Sequence, residues 1–128
     1  MIEVLIPTDS EFQKYDDELK SLYQENQKKI CDTNSYEFVR DNTLFYAFLE
    51  NKALFGAIYY FMEDDKLFLN AFSKRKCHSK NIKALFLSMT WFLCDIYAEA
   101  QNRASAFTLL RCGFKRVNDN LFRYKKID

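Results

Sequence analysis

Five basic side chains, Lys74, Arg75, Lys76, Lys80 and Lys83, fall within ten positions of a turn-like stretch that leads into a helical pattern. Positive charge gathered this closely either attracts a phosphate-bearing ligand or is a solvated loop, and residue types alone leave both open. His78, the one histidine, sits inside the run as an exposed loop residue or as a phosphate contact. The four cysteines, Cys31, Cys77, Cys94 and Cys112, lie far apart and never form a C-x-x-C pair. That is the pattern of isolated thiols in a reducing compartment, so neither a metal site nor a disulfide framework is expected. Aromatic residues near basic ones suit nucleic-acid stacking. Most of the 13 Phe and 8 Tyr, however, recur at core-facing periods, and no nucleic-acid partner is expected.

Composition sets the outer bounds. Hydrophobic residues make up 48%, with two glycines and one proline, which excludes a disordered chain. A net charge of +1 supplies no global field for nucleic acid or an anionic membrane. No stretch reads as a signal peptide, and the most apolar helical stretch, Ile82 to Cys94, is too short to span a bilayer. A cytoplasmic location and no membrane partner are expected.

The elements that must position the basic run follow from periodicity. Ile2 to Ile6 predicts an opening strand that ends at Pro7. The capping cluster Thr8-Asp9-Ser10 precedes Phe12, Tyr15, Leu19, Leu22 and Tyr23 at helical spacing, which predicts an amphipathic helix from about Ser10 to Lys29. Asn34 with Glu37 resembles a capping box and predicts a second, short helix carrying Tyr36, Phe38 and Val39. Leu44–Glu50, Leu54–Met62 and Leu67–Phe72 are β-prone runs separated by turn sequences too short for a crossover helix, so three consecutive antiparallel strands are predicted. They are apolar on both faces and therefore need helices on both sides. Gly56 predicts a bulge or close backbone packing. A helix is expected from Asn81 to Cys94 with Ile82, Leu85, Phe86, Met89 and Phe92 inward, and then a strand from Ile96 to Ala100. Asn102 caps a further helix with Ala106, Phe107 and Leu110 inward, and Gly113 stands at its C′ position. Phe114–Asn118 and Leu121–Lys126 close the chain as a hairpin. The expected fold is α+β, layered α/β/α, with a mixed, mostly antiparallel sheet in the order β-α-α-β-β-β-α-β-α-β-β, as one domain over residues 1–128.

One segment is more specific than an order of elements. IYAEAQNRASAFTLLRCGFKRV, followed by NLFRYKK, resembles the closing third of the GNAT acyl-CoA N-acyltransferases. In that family a strand ends in an Asn, a helix follows, and Gly-Phe arrives eleven and twelve residues after the Asn; Asn102, Gly113 and Phe114 have this spacing. Upstream, LFYAFLENKALFGAIYYFMEDDKLFLNAF is similar to the family's three-strand meander, including the Gly of its second strand. The likeness covers about residues 2–126, and the chain also resembles the short, divergent GNAT-like proteins of phages and prophages.

The resemblance implies a sheet that splays after its fourth strand, with coenzyme A in the wedge and its pyrophosphate on unpaired N–H groups at the start of the next helix. Carried onto this chain, it implies cofactor contacts at Phe72, Ser73, Arg75, Ser79, Lys80, Asn81, Ile82 and Asn102, with the other basic residues of the run adding charge. Asn102 reads equally as a pantetheine contact and as a plain helix cap. Glu99 is implied as the group that accepts a proton from the attacking amine; the plain reading is a solvated strand-end carboxylate. The chain departs from the family twice. Its phosphate-loop positions, an Arg or Gln and two small residues in the family, hold Cys77, Lys80 and Ile82, and Leu109 stands where a Tyr protonates the departing thiolate. Ser105, Tyr97 and Cys112 remain as candidate donors. Two functions follow from the resemblance. One is transfer of an acetyl group from acetyl-CoA to an amine or protein acceptor; the other is a GNAT-fold binding or structural module, phage-derived, that has lost catalysis.

Overall fold

The computed structural model describes residues 1–126. Its strands are β1 (Ile2–Leu5), β2 (Leu44–Glu50), β3 (Ala53–Glu63), β4 (Lys66–Ser73), β5 (Ile96–Glu99), β6 (Lys115–Asn118) and β7 (Leu121–Tyr124). The helices are α1 (Asp16–Ile30), α2 (Tyr36–Asn42), α3 (His78–Met89) and α4 (Arg103–Arg111). All seven strands join one sheet in the spatial order β1-β2-β3-β4-β5-β7-β6. The predicted meander is present: β2 pairs with β3 and β3 with β4, both antiparallel. Its two turns place Asn51, Lys52, Asp64 and Asp65 all at positive φ, the backbone twist that suits a two-residue hairpin connection.

Two-sided apolarity finds cover on both faces. On one face Leu19, Tyr23 and Tyr36 of α1 and α2 cluster with Phe12, Phe45, Ala57, Tyr59 and Phe72; on the other Leu85, Met89 and Leu109 of α3 and α4 cluster with Phe48, Ile58, Tyr60, Leu69, Ile96 and Phe122. Tyr60 and Ser88 share a buried hydrogen bond of 2.7 Å, which ties α3 to β3.

Several helix details differ from expectation. Asp9 accepts from the Ile6 N–H (2.8 Å) instead of capping a helix, and a 3₁₀ turn, Phe12–Tyr15, precedes α1. Ser35, not Asn34, caps α2 through the Phe38 N–H; the Asn34 amide donates to Asp32 instead. α3 starts at His78, three residues before the expected Asn81, and ends at Met89 rather than Cys94. The Asn81 amide donates to Ser73 Oγ (2.8 Å) and so is not available as a cap. At the far end Thr90 hydrogen-bonds back to Leu87 and closes the helix. The inner face of α3 is Ala84, Leu85, Ser88 and Met89, with Phe86 exposed. On α4, Leu109 is buried while Phe107 and Leu110 face solvent. Asn102 does cap α4, accepting from the Ser105 N–H at 2.8 Å. Gly113 sits at φ 94° with the Gly113→Leu110 and Phe114→Leu109 backbone bonds of a Schellman ending.

Gly56 serves both expected purposes. The β2–β3 register shifts beside it, between Phe48 and Leu49, so that Phe55 is the extra residue of a bulge. A Cβ at Gly56 would lie 2.7 Å from the Phe72 carbonyl oxygen, which is backbone and cannot swing aside. Gly56→Ala is therefore expected to cost about 1–3 kcal/mol, the range for overpacking. Urea denaturation measures it, and an unchanged midpoint would mean that β4 yields freely.

The feature that creates ligand space is the junction of β4 and β5. These strands are parallel and pair at only two positions, Leu67↔Ile96 and Phe68↔Tyr97. β4 runs on to Ser73 still bonded to β3, while β5 runs on to Glu99 still bonded to β7. Beyond Phe68 the two strands part.

Candidate functional site

The parting strands enclose a cavity of about 340 Å³. Its walls are β4 from Leu69 to Ser73, the end of β5, the last turns of α1, and the N-terminal ends of both α3 and α4. Two positive dipole ends thus meet at one cleft. The first intrahelical bond of α3 runs from the Asn81 N–H to Cys77 O (2.8 Å), so the open donors are those of His78, Ser79 and Lys80. Asn81 and Ile82, expected among the anion-facing N–H groups, lie past that open end. On the wedge side of β4, beyond Phe68, backbone groups face the cavity without a partner strand; one, the Ala71 N–H, is taken by Asn70 Oδ1 at 3.0 Å.

Of the residues singled out from the sequence, Phe72, Ser73, Asn81, Glu99 and Asn102 line this cavity. Arg75, Ser79, Lys80 and Ile82 do not. Lys80 turns to Glu50 on β2, at 3.0 Å, and lies over the Phe55 ring. The Lys80 hydrogen bond holds the Glu50 carboxyl below its ordinary value. Ile82 packs against the core. Lys74 lines the cleft and pairs with Glu18. His78 also lines it, stacked on Phe107 at 5.6 Å. Lys76 lines it with a left-handed φ of 61°, a backbone state in which glycine is at ease. Sequence reasoning missed Asn26, Lys29 and Thr108. The first two belong to α1, 50 or so residues away in the chain, and only tertiary packing brings them here.

The candidate proton donors separate clearly. Leu109 is buried and forms part of the cavity wall. Ser105 and Thr108 line the same space, and the Thr108 hydroxyl donates to the Ala104 carbonyl at 3.0 Å. Cys112 is buried, its Sγ 3.7 Å from the Ile82 carbonyl, and burial pushes its thiol above the ordinary value. Tyr97 lies elsewhere, its ring tilted against that of Phe68 at 5.7 Å.

A second cavity, about 260 Å³, opens beyond the C-terminal end of α1. It shares Ile30, Leu69, Asn70, Glu99 and Gln101 with the first. Glu99 therefore stands at the junction of two adjoining spaces. Asp32, at the second cavity, accepts from the Tyr59 hydroxyl (2.6 Å) and from the Asn34 N–H and amide (2.9 Å each). Burial, reinforced by the Asp32 hydrogen bond, pushes the Tyr59 hydroxyl far above its ordinary value, so it remains a donor. Among the described residues no three His, Cys, Asp or Glu side chains gather as a metal site, and no helix is long and apolar enough to cross a membrane.

The fold matches the GNAT-like fold of solved N-acetyltransferases. An N-acetyltransferase from Staphylococcus aureus Mu50 matches 100% of this chain and 99% of its own at a TM-score of 0.73 and 14% identity. An acetyltransferase from Agrobacterium tumefaciens str. C58 matches at a TM-score of 0.69 and 13% identity, over 96% of this chain and 90% of its own. The PaiA N-acetyltransferase from Thermoplasma acidophilum, solved in complex with coenzyme A, matches at 0.57 and 14% identity, over 98% and 99% of the two chains. No protein-family model matches the sequence, and no curated protein matches it significantly.

Proposed function

We propose that this protein is an N-acyltransferase that moves an acetyl group from acetyl-CoA to an amine. The observation that carries this reading is the wedge, where a strand edge without a partner strand and two helix N-termini face one cavity. Those features fit coenzyme A part by part. Pantetheine is a narrow chain with two amides, which suits an open strand edge. Its pyrophosphate suits the open N-terminal end of α3 where His78 lines the cleft, with Lys76 and Lys29 adding charge there. Arg75 and Lys80 stand outside the wall and act at longer range. Asn102 caps α4 and also lines the cavity, which supports a pantetheine contact beside its capping role.

Bound acetyl-CoA supplies an acyl group on an activated thioester. Glu99 takes the proton that the amine loses as its nitrogen is acylated. Ser105 and Thr108 are the hydroxyls on the cavity wall near Leu109, and with no Tyr there the sulfur draws its proton from one of them or from solvent. Reaction is consequently slow. The relative named as a coenzyme A complex supports the cofactor.

Calorimetric titration with CoA tests the proposal. Binding is expected, and Lys29→Ala with Lys76→Ala is expected to weaken it by about tenfold, the scale of a charge-assisted contact. Arg75→Ala with Lys80→Ala is expected to weaken it less. The absence of both heat and a thermal shift at millimolar CoA would overturn the acyltransferase reading. It would leave the binding module, which Leu109 in the cavity wall favours.

A further inference from the structure

The two adjoining cavities differ in charge and in texture. The wedge is edged by Lys29, Lys74 and Lys76, whereas the second cavity carries Asp32, Glu63 and Glu99 and neither Lys nor Arg in its lining. Its floor belongs to a row of rings on one face of the sheet. Phe61 and Phe68 are register partners stacked at 6.0 Å, and Phe68 and Tyr97 are partners at 5.7 Å. Cross-strand partners share a face, so the row is continuous over three strands. It lies beyond the end of α1 at Ile30, and all three rings remain partly exposed. The chain's own Lys66 already places its ammonium 5.7 Å from the centre of the Tyr97 ring, so this row accepts a cation.

Resting on the acyltransferase reading, we propose that the acceptor is a short diamine or similarly compact dication, seated on the Phe61–Phe68 rings with its far ammonium held by Asp32 and Glu63. The near amine then meets Glu99, which alone among these carboxylates also borders the wedge. Asp32 suits the holding role because its orientation is already set by the Tyr59 hydroxyl and by Asn34, so little is lost in ordering it. An acceptor whose far end is neutral forfeits that contact, and one ending in a carboxylate is repelled.

Equilibrium titration of the intact protein with 1,4-diaminobutane, butylamine and 4-aminobutanoate reads this without requiring turnover. The diamine is expected to bind about tenfold tighter than butylamine, and 4-aminobutanoate more weakly than either. Glu63→Gln, on an exposed strand end, and Asp32→Asn are each expected to narrow the gap between diamine and butylamine. Equal binding of diamine and butylamine, or no amine binding to protein that still titrates with CoA, overturns the acceptor class and spares the acyltransferase reading. Diamine selectivity in protein that binds no CoA overturns the acceptor role along with that reading.

Discussion

Glu99→Gln is expected to lower turnover by about 10²–10⁴-fold while leaving CoA affinity unchanged, the range for removal of a general base. Gln preserves the size of the side chain and removes only its capacity to take a proton. The position favours the role: β5 carries Glu99 to the point where the two cavities meet, and β7 pins the strand through all four of its residues. Steady-state acylation of an amine panel, with parallel CoA titration, separates catalysis from binding. Equal rates for wild type and variant would make Glu99 a solvated strand-end carboxylate. A parallel loss of CoA affinity would make it a binding group.

The second large effect concerns stability. Phe45 stands within about 6 Å, ring to ring, of Phe12 (6.1 Å), Tyr36 (6.0 Å), Tyr59 (6.1 Å) and Phe72 (6.2 Å). Phe45→Ala removes the shared member of four ring pairs and leaves a cavity that α1, α2 and the sheet cannot all close. A loss of about 3–5 kcal/mol is expected, a large part of the roughly 5–15 kcal/mol that holds a domain folded. Chemical denaturation measures it, and a loss under about 1 kcal/mol would show that the helices collapse onto the gap. The same cluster contains Tyr59, whose hydroxyl orients Asp32, so the second cavity depends on this packing as well.

The strands were legible because their signals are local. β-prone runs and the short turn sequences between them predicted the meander, and Asn102 and Gly113 marked both ends of α4. Helix faces were harder. Phe86, Phe107 and Leu110 fit an apolar stripe by spacing, yet they point outward, because Ala84, Ser88 and Leu109 complete the inner faces and small or polar residues carry little weight in such a pattern. The start of α3 was misplaced because Cys77, its first flanking residue, has no capping hydrogen bond, while Asn81 looks like a cap and bonds Ser73 instead. For the candidate site, the basic run was visible but its partners were not. Glu50 takes Lys80 across 30 residues of chain, and Glu18 takes Lys74 across 56. The second cavity, assembled from the end of α1 and three strands, has no local signature at all.

The two-residue pairing of β4 with β5 also bears on how the fold is held together. With so short a ladder at the seam, β5, β6, β7 and α4 form a leaf joined to the meander mainly by side-chain packing. A ligand lying between the leaves touches both and binds only when both are in place. Its binding free energy is thereby added to the stability of the weaker leaf. Occupancy of the wedge and the cohesion of the sheet are, in this architecture, one linked equilibrium.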